Sequence, residues 1–307
     1  LDVLRAKGMR FDDQVAIVTG AATGLGRAYA IALAERGAKL VIIDNEAQSV
    51  NDPGLRSCAK AIIALGGEVQ LFCLDISDSS AVNAMIEDVL LSWGRVDILI
   101  NNAGIHQASP FEQLSETTWK RQFEVDVHGS FNLTKAVWPT MKRRGYGRII
   151  MTCASSIFGD MYEASFSASK MALVGLVNSL HLEGKEHGIA VNSITPHVVT
   201  NMTANHLAPA VRPLFSKTTV LSAVLYLCSS KSPSGQHVFA AAGGISHAEV
   251  VVHAASRFSA EECTPEVIHS RWGEICRAKR CRGRSSGESQ VLAWAMAAAE
   301  QRDIELE

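Results

Sequence analysis

Short apolar, β-branched runs alternate along the chain with longer stretches whose apolar residues recur every three or four positions. The first pattern predicts strands and the second amphipathic helices. Val15–Thr19 is such a run and ends in a glycine-rich turn; 25–36 has helical spacing and stops at Gly37. A strand follows over 39–43, closed by Asp44, and then a helix over 58–65, ended by Gly66 and Gly67. Further on, 69–74 reads as strand, 81–93 as helix and 96–100 as strand running into Asn101, Asn102, Ala103 and Gly104. One long helix is predicted over 116–143, then a strand over 147–152, a helix over 167–187 and a strand over 189–194. A helix over 218–229 and a last strand over 238–242 close the alternation before Gly243 and Gly244. From His247 onward no sheet pattern continues, and only 265–275 and 290–300 have amphipathic helical spacing.

Strands that are apolar throughout, each followed by a helix, predict an α/β fold: a doubly wound parallel sheet with right-handed crossovers and helices on both faces. The expected organisation is one sheet domain over 9–246. A C-terminal extension of helix and loop over 247–307 is expected to pack on that domain or on a partner subunit. Composition agrees with a well-buried core, 47% of the 307 residues being hydrophobic. A net charge of -2 supplies no basic field for nucleic acid or an anionic membrane surface. No apolar run approaches the roughly 20 residues of a membrane span, and 1–10 has no signal-peptide core. Seven scattered cysteines read as reduced thiols, so a cytoplasmic chain is expected. The basic stretch 277–284 reads as a solvated loop.

The chemistry starts at Thr19-Gly20-Ala21-Ala22-Thr23-Gly24-Leu25-Gly26, between the first strand and the first helix. Gly20, Gly24 and Gly26 allow a tight turn and let backbone N–H groups, with those of Thr23 and Leu25, approach a pyrophosphate at a helix N-terminus. Such a turn with an acid about twenty residues on marks a Rossmann-type dinucleotide site. That acid is Asp44, placed to accept from adenosine ribose hydroxyls and to repel a 2′-phosphate, so NAD is expected over NADP. The bland alternative for Asp44 is a helix cap. Asp75 and Ile76, ending the third strand, are expected beside the adenine. Asn102, Ala103 and Gly104, ending the fourth, are expected beside the nicotinamide ribose, with Pro196 and Val198 lining the cofactor further on.

Together these segments resemble the short-chain dehydrogenase/reductase family, which pairs a Thr-Gly-x-x-x-Gly-x-Gly turn and an Asn-Asn-Ala-Gly segment with a Tyr-x-x-x-Lys motif. The resemblance runs from about Phe11 to about Cys276. The segments Gly26-Arg27-Ala28-Tyr29-Ala30 and Tyr146-Gly147-Arg148-Ile149-Ile150-Met151-Thr152 narrow it to the (3R)-hydroxyacyl-CoA and hydroxysteroid dehydrogenase branch. So does a tail with Thr264-Pro265-Glu266-Val267, Trp272 and Cys276. The resemblance implies hydride transfer between a secondary alcohol and the nicotinamide. The substrate would be a small, partly apolar acyl-CoA, steroid or polyketide-like molecule. It also implies a homodimer or homotetramer. The family's catalytic tetrad is Asn, Ser, Tyr and Lys. Here Lys170 holds the lysine place, while Phe166 stands for the tyrosine, Cys153 for the serine and Asp126 for the asparagine.

Phenylalanine cannot exchange a proton, and cysteine hydrogen-bonds more weakly than serine. An aspartate near Lys170 is expected to pair with it. Tyr162 is one helical turn before Phe166 if the helix already runs there, and its hydroxyl could then substitute; the alternative is that Tyr162 only lines the substrate entrance. Ser155 and Ser156 flank Cys153. His106, His128, His197 and His206 are the histidines nearest the pocket by sequence. Cys153 could titrate beside Lys170, or be an inert buried thiol. The loop 198–213, with Met202, His206 and Leu207, is expected to meet the substrate. Cys263, His269, Cys276 and Cys281 match no zinc spacing, so no metal is expected. Two other readings stay open: a non-catalytic subunit that pairs with an active paralogue, and a non-redox cyclase or isomerase that reuses the pocket.

Overall fold

In β1 (Val15–Thr19), Val15 and Ile17 point into one core and Ala16 and Val18 into another. A period of two gives two sheet faces, and both are apolar because helices cover both. The computed structural model describes residues 8–45, 54–198, 209–259, 261–279 and 286–300. After β1 come α1 (Gly24–Ala34), β2 (Lys39–Asp44), α2 (Gly54–Ala64), β3 (Val69–Cys73), α3 (Ser79–Trp93) and β4 (Ile98–Asn101). Next are α4 (Glu116–Phe123), a π-helical turn (Glu124–Gly129), α5 (Ser130–Arg144), β5 (Gly147–Thr152), α6 (Ala164–Gly184) and β6 (Ile189–His197). Then follow α7 (Thr218–Cys228), β7 (His237–Ala241), β8 (Gly244–Ala248), α8 (Pro265–Arg277) and α9 (Gly287–Glu300).

The strands form one eight-stranded sheet in the order β3-β2-β1-β4-β5-β6-β7-β8, parallel from β3 through to β7. On one face α1, α2 and α7 pack Tyr29, Leu33, Ile62 and Val224 against Leu40, Ile42, Ile98 and Ile100. On the other, α3, α5 and α6 pack Met85, Val89, Leu133, Val137 and Val177 against Val41, Ile43, Leu99 and Ile149. The chain order reverses between β1 and β4, so the carboxyl ends of these two neighbours open the crevice where such sheets bind ligands. Arg148 is buried in β5 and satisfied by carbonyl oxygens: it donates to those of Gly147, Gly188, Ser229 and Ser230.

The elements depart from expectation in three places. The helix expected over 116–143 is continuous in direction but contains the π turn, which adds a residue to the winding and holds Asp126 in the interior. The strand β6 runs three residues past Ile194 and takes in Pro196 and His197. β7 is not the last strand. Ala242 (φ 46°) and Gly243 (φ 82°) make a two-residue turn of the tight hairpin kind. β8 then returns as an edge strand, exposed except at its last, half-buried residue, which is why no hydrophobic pattern announced it.

The chain divides into two units, Leu1–His247 and Ala248–Glu307. The second holds α8, N-capped by the Thr264 hydroxyl with Pro265 in the first turn, and α9. Both helices display large apolar side chains, among them Trp272 and Trp294.

His237 of β7 is buried between Ser193 Oγ at 2.7 Å on Nδ1 and Asn178 Oδ1 at 2.8 Å on Nε2, which ties β7 to β6 and α6. Burial, with the nearby His247 and His181, holds its pKa below the ordinary 6.5; burial and then Lys185 lower that of His181. Between these lowered values and 6.5 the unfolded chain binds more protons than the folded one, so stability rises with pH in that window. The contribution is fully present above pH 6.5 and lost as the pH falls below it. Thermal unfolding should therefore show a Tm lower at pH 5.5 than at pH 7.5, by about 2–4 °C per kcal/mol. His237→Gln should flatten that slope; an unchanged slope would count against a neutral buried His237.

Candidate active site

The glycine turn is fixed from below by β4. Thr19 Oγ1 accepts from the backbone N–H groups of Asn102 and Ala103, both at 2.9 Å. The Asn102 amide donates to Thr19 O at 2.9 Å and to Gly20 O at 3.4 Å. The packing leaves no room for side chains: a Cβ on Gly26 would collide with the Gly20 carbonyl, and one on Gly20 would stand 2.9 Å from Asn102 Nδ2. On the other side the turn is open. Nothing lies within 4 Å of where a Gly24 Cβ would be, and Thr23 caps α1 by position only, its exposed side chain making no cap bond. Leu25 packs down on the core. The first N–H groups of α1 thus face a space that can take an anion.

Asp44 ends β2 with Oδ2 accepting from Ala22 N at 2.8 Å and Oδ1 from Asn45 N at 2.9 Å. The carboxylate is tied to the glycine turn, and the segment in which a helix capped by Asp44 would begin lies outside the described residues. Lys217, which nothing in the sequence flagged, donates from Nζ to Gly24 O at 3.1 Å and brings a cation to the same turn. Asp75 is more committed than expected. Its Oδ1 accepts from Ser77 N and Oγ, and its Oδ2 pairs with Arg121 at 2.6 Å. Burial raises the Asp75 pKa, but the hydrogen bonds from Ser77 and the Arg121 guanidinium outweigh it and leave it below the ordinary carboxylate value. Ile76 is buried against Gly129 of the π turn.

The centre of the site is a buried ion pair. Lys170 Nζ lies 3.0 Å from Asp126 Oδ2, with side chains 6% and 0% exposed. Asp126 also accepts from Gln122 Nε2 at 2.8 Å, Ser169 Oγ at 2.9 Å and Ile105 N at 3.2 Å. With three donors besides the lysine, the carboxylate has the partners a buried charge requires. Gly104 makes the closeness possible, since a Cβ there would come within 3.0 Å of both Asp126 Oδ1 and Lys170 Nζ. Gln122 and Ser169 carried no signal in the sequence, because only the π turn aims Asp126 at them.

Phe166 stands one turn before Lys170 on α6, with Lys170 Nζ 5.3 Å from the centre of its ring. His106 meets the same ring in a T-shaped contact, 4.8 Å between centroids and 78° between planes. His106 Nε2 is 2.7 Å from Glu163 Oε1. Cys153 is buried at the end of β5, and its thiol contacts Lys170 O at 3.7 Å. Burial pushes the thiol up to about 11 against the pull of Lys170, so it stays protonated near neutral pH. Of the serines beside it, Ser155 is exposed and Ser156 is buried with its hydroxyl unpartnered.

Tyr162 does not share the face of Phe166. α6 begins only at Ala164, and Tyr162 sits before it with φ 68° and an exposed ring. Its carbonyl accepts from Ser109 N at 2.7 Å. The helical spacing assumed for it fails because the chain is still turning there. Pro196 is half-buried and Val198 buried at the end of β6, while His197 packs edge-on against Phe215 and His128 is exposed. Met202, His206, Leu207 and Cys281 lie outside the described residues. Among the described residues no group of three or more His, Cys, Asp or Glu could hold a metal ion, and no helix is long and apolar enough to cross a membrane.

A family model described as short chain dehydrogenase matches residues 14–210, well over half of the chain and all of the residues just described up to the end of β6. The chain belongs to the short-chain dehydrogenase family. It is 35% identical over 277 residues to peroxisomal multifunctional enzyme type 2 of Mus musculus, covering 88% of this chain and 38% of that one. The full-length structure of peroxisomal multifunctional enzyme type 2 from Drosophila melanogaster superimposes with a TM-score of 0.74 at 30% identity, over 95% of this chain and 51% of that one. A 7 alpha-hydroxysteroid dehydrogenase complexed with NADH and 7-oxo glycochenodeoxycholic acid superimposes with a TM-score of 0.69 at 28% identity, over 76% of this chain and 95% of that one. The chain therefore spans less than half of the mouse enzyme and about half of the fly enzyme. This short-chain dehydrogenase chain is of the oxidoreductase type, related to the hydroxyacyl-CoA and hydroxysteroid enzymes, in a family that binds NAD(P).

Because Asp126 is fully buried, removing its charge and its volume together should be severe. Asp126→Leu leaves Lys170 charged and unpaired and should cost about 3–5 kcal/mol of stability. Asp126→Asn keeps an acceptor for Ser169 and should cost clearly less. Chemical denaturation of the two variants checks the order, and equal losses would show that the charge of Asp126 is not what holds the site.

Proposed function

We propose that this chain is an NAD(H)-dependent dehydrogenase of (3R)-hydroxyacyl-CoA or hydroxysteroid type, with a rebuilt proton-transfer site. The observation that carries it is Asp44, whose carboxylate closes the glycine turn through Ala22 N and stands where a 2′-phosphate would need a cation. The open space before Gly24 and the uncapped start of α1 fit the pyrophosphate. The cofactor residues in this reading are Gly20, Thr23, Gly24, Leu25, Gly26, Asp44, Asp75, Ile76, Asn102, Ala103, Gly104, Lys170, Pro196 and Val198. A bound nicotinamide supplies the hydride acceptor. Lys170, held by Asp126, orients the nicotinamide ribose, and Gly104 keeps the end of β4 thin enough for both. Cys153 contributes shape more than a hydrogen bond, since its thiol is engaged with a carbonyl of α6.

Domain labels follow from the same residues. The first unit is the cofactor-binding dehydrogenase domain and the second a C-terminal extension. A homodimer or homotetramer fits the family. Location is proposed as a reducing compartment, the cytoplasm by our reading of the thiols; the related multifunctional enzymes are peroxisomal by name. A second reading keeps the NAD site but gives the chain no turnover, as the partner of an active paralogue. The phenylalanine at position 166 favours it, since its ring packs under Lys170 with no hydroxyl to exchange a proton.

Titration with NADH and NADPH, followed by nicotinamide fluorescence, tests the cofactor. NADH should bind more tightly, and Asp44→Ala should lose about tenfold in NADH affinity, or about 1.4 kcal/mol, while gaining relatively for NADPH. Equal affinities in the unmodified chain would sink the NAD assignment. NADH formation with a panel of (3R)-hydroxyacyl-CoA thioesters and hydroxysteroids tests turnover, with Phe166→Tyr alongside as the variant that restores the family's hydroxyl. Silence of both proteins despite NADH binding would leave the partner-subunit reading in its place.

A further inference from the structure

Phe166 removes the proton acceptor from the family's position, yet the residue touching its ring is one that moves protons. His106 lies two residues past Gly104, on the segment leaving the carboxyl end of β4, and its imidazole makes a T-shaped contact with the Phe166 ring, 4.8 Å between centroids. Its Nε2 is held by Glu163 Oε1 at 2.7 Å, with the two side chains only 19% and 16% exposed. A carboxylate accepts and cannot donate, so it keeps the proton on Nε2 and leaves Nδ1 as the bare, basic nitrogen. Among the described residues Nδ1 has no hydrogen-bond partner. A base whose far nitrogen is oriented by a carboxylate is the arrangement that proton-transfer sites use.

The charges nearby agree with this. An imidazolium forming beside an unmatched ammonium would be opposed, and Lys170 Nζ is 5.3 Å from the ring that His106 touches. Asp126 matches that ammonium at 3.0 Å, and Glu163 matches the imidazole itself. Asparagine at position 126 would leave the lysine charge unmatched beside the imidazole.

We propose that His106, oriented by Glu163, is the general acid/base of this chain. This rests on the dehydrogenase reading above. In the oxidative direction the carbinol O–H proton would pass to His106 Nδ1 as the carbon–oxygen double bond forms, the C–H hydride being taken up by the oxidised nicotinamide that the site would hold. The imidazolium, paired with Glu163, would then release its proton to water. Glu163 is a positioning residue, since it touches the imidazole and not the carbinol.

The full chain is assayed with the alcohol it oxidises best. His106→Gln should lower kcat by about 10²–10⁴-fold with NADH affinity unchanged. Added imidazole should restore part of the loss in His106→Ala, which a structural role would not allow. Phe166→Tyr placed in the His106→Gln chain should recover turnover, because the tyrosine path does not need the histidine. Glu163→Gln should lose less than His106→Gln and shift the pH profile of kcat. If His106→Gln fails to bind NADH, imidazole rescue of His106→Ala and the Glu163→Gln profile decide the matter. Turnover of His106→Gln within about threefold of the unmodified chain overturns the proposal. So does a silent unmodified chain beside an active Phe166→Tyr variant, which leaves the dehydrogenase reading standing. Silence of both with NADH still bound overturns the dehydrogenase reading and the proposal with it.

Discussion

The buried pair of Lys170 and Asp126 is the constraint around which the site is built. An ammonium and a carboxylate taken out of water cost several kcal/mol each unless their remaining valences are met. The chain meets them from three directions at once. The π turn aims Asp126 inward, α6 brings Lys170 and Ser169, and the segment after β4 supplies Ile105 N and a glycine with no side chain to keep the charges apart. Loosening any one of these elements would leave a charge unpaired, so the pair locks α4, α6 and the end of β4 into one geometry.

That lock sits beside the crevice opened by the strand order. The glycine turn after β1 and the Asn-Asn-Ala-Gly segment after β4 are neighbours because β1 and β4 are, and Thr19 and Asn102 stitch them through short hydrogen bonds. Under the proposed reading a dinucleotide lying across the crevice would set its adenosine ribose at Asp44, its pyrophosphate at the start of α1 and its nicotinamide ribose at Lys170. The same short distances explain why a Cβ on Gly26 would strike the Gly20 carbonyl and why one on Gly20 or Gly104 would crowd Asn102, or Asp126 and Lys170, while Gly24 faces open space.

The three departures from the family tetrad look like independent losses when taken singly. In space they are connected. Phe166 touches both Lys170 and His106, Asp126 neutralises Lys170, and Cys153 is spent on a carbonyl of α6. A degenerate site would be expected to leave its remaining charges poorly matched; here the lysine has a carboxylate at 3.0 Å and the histidine one at 2.7 Å.

The sequence by itself determined the α/β alternation, the glycine turn with its acid and the parallel sheet, while the four tetrad positions came only as what the family resemblance implies. The former are written in local spacing: period two or 3.6, and turn residues at fixed offsets. It did not determine the π turn, because one extra residue in a helical winding changes no hydrophobic period. It missed β8, whose residues are almost all exposed and need bury no apolar face. It set Tyr162 on the face of Phe166 only if the helix already ran there, and α6 starts two residues later. Only the tertiary structure decided that Asp75 is taken by Arg121, that Lys217 reaches the glycine turn, and that His106 and Glu163 meet beside Phe166. Residues 57 apart in the chain share a hydrogen bond there, and such a contact is set by how α6 packs at the end of β4 rather than by any local preference.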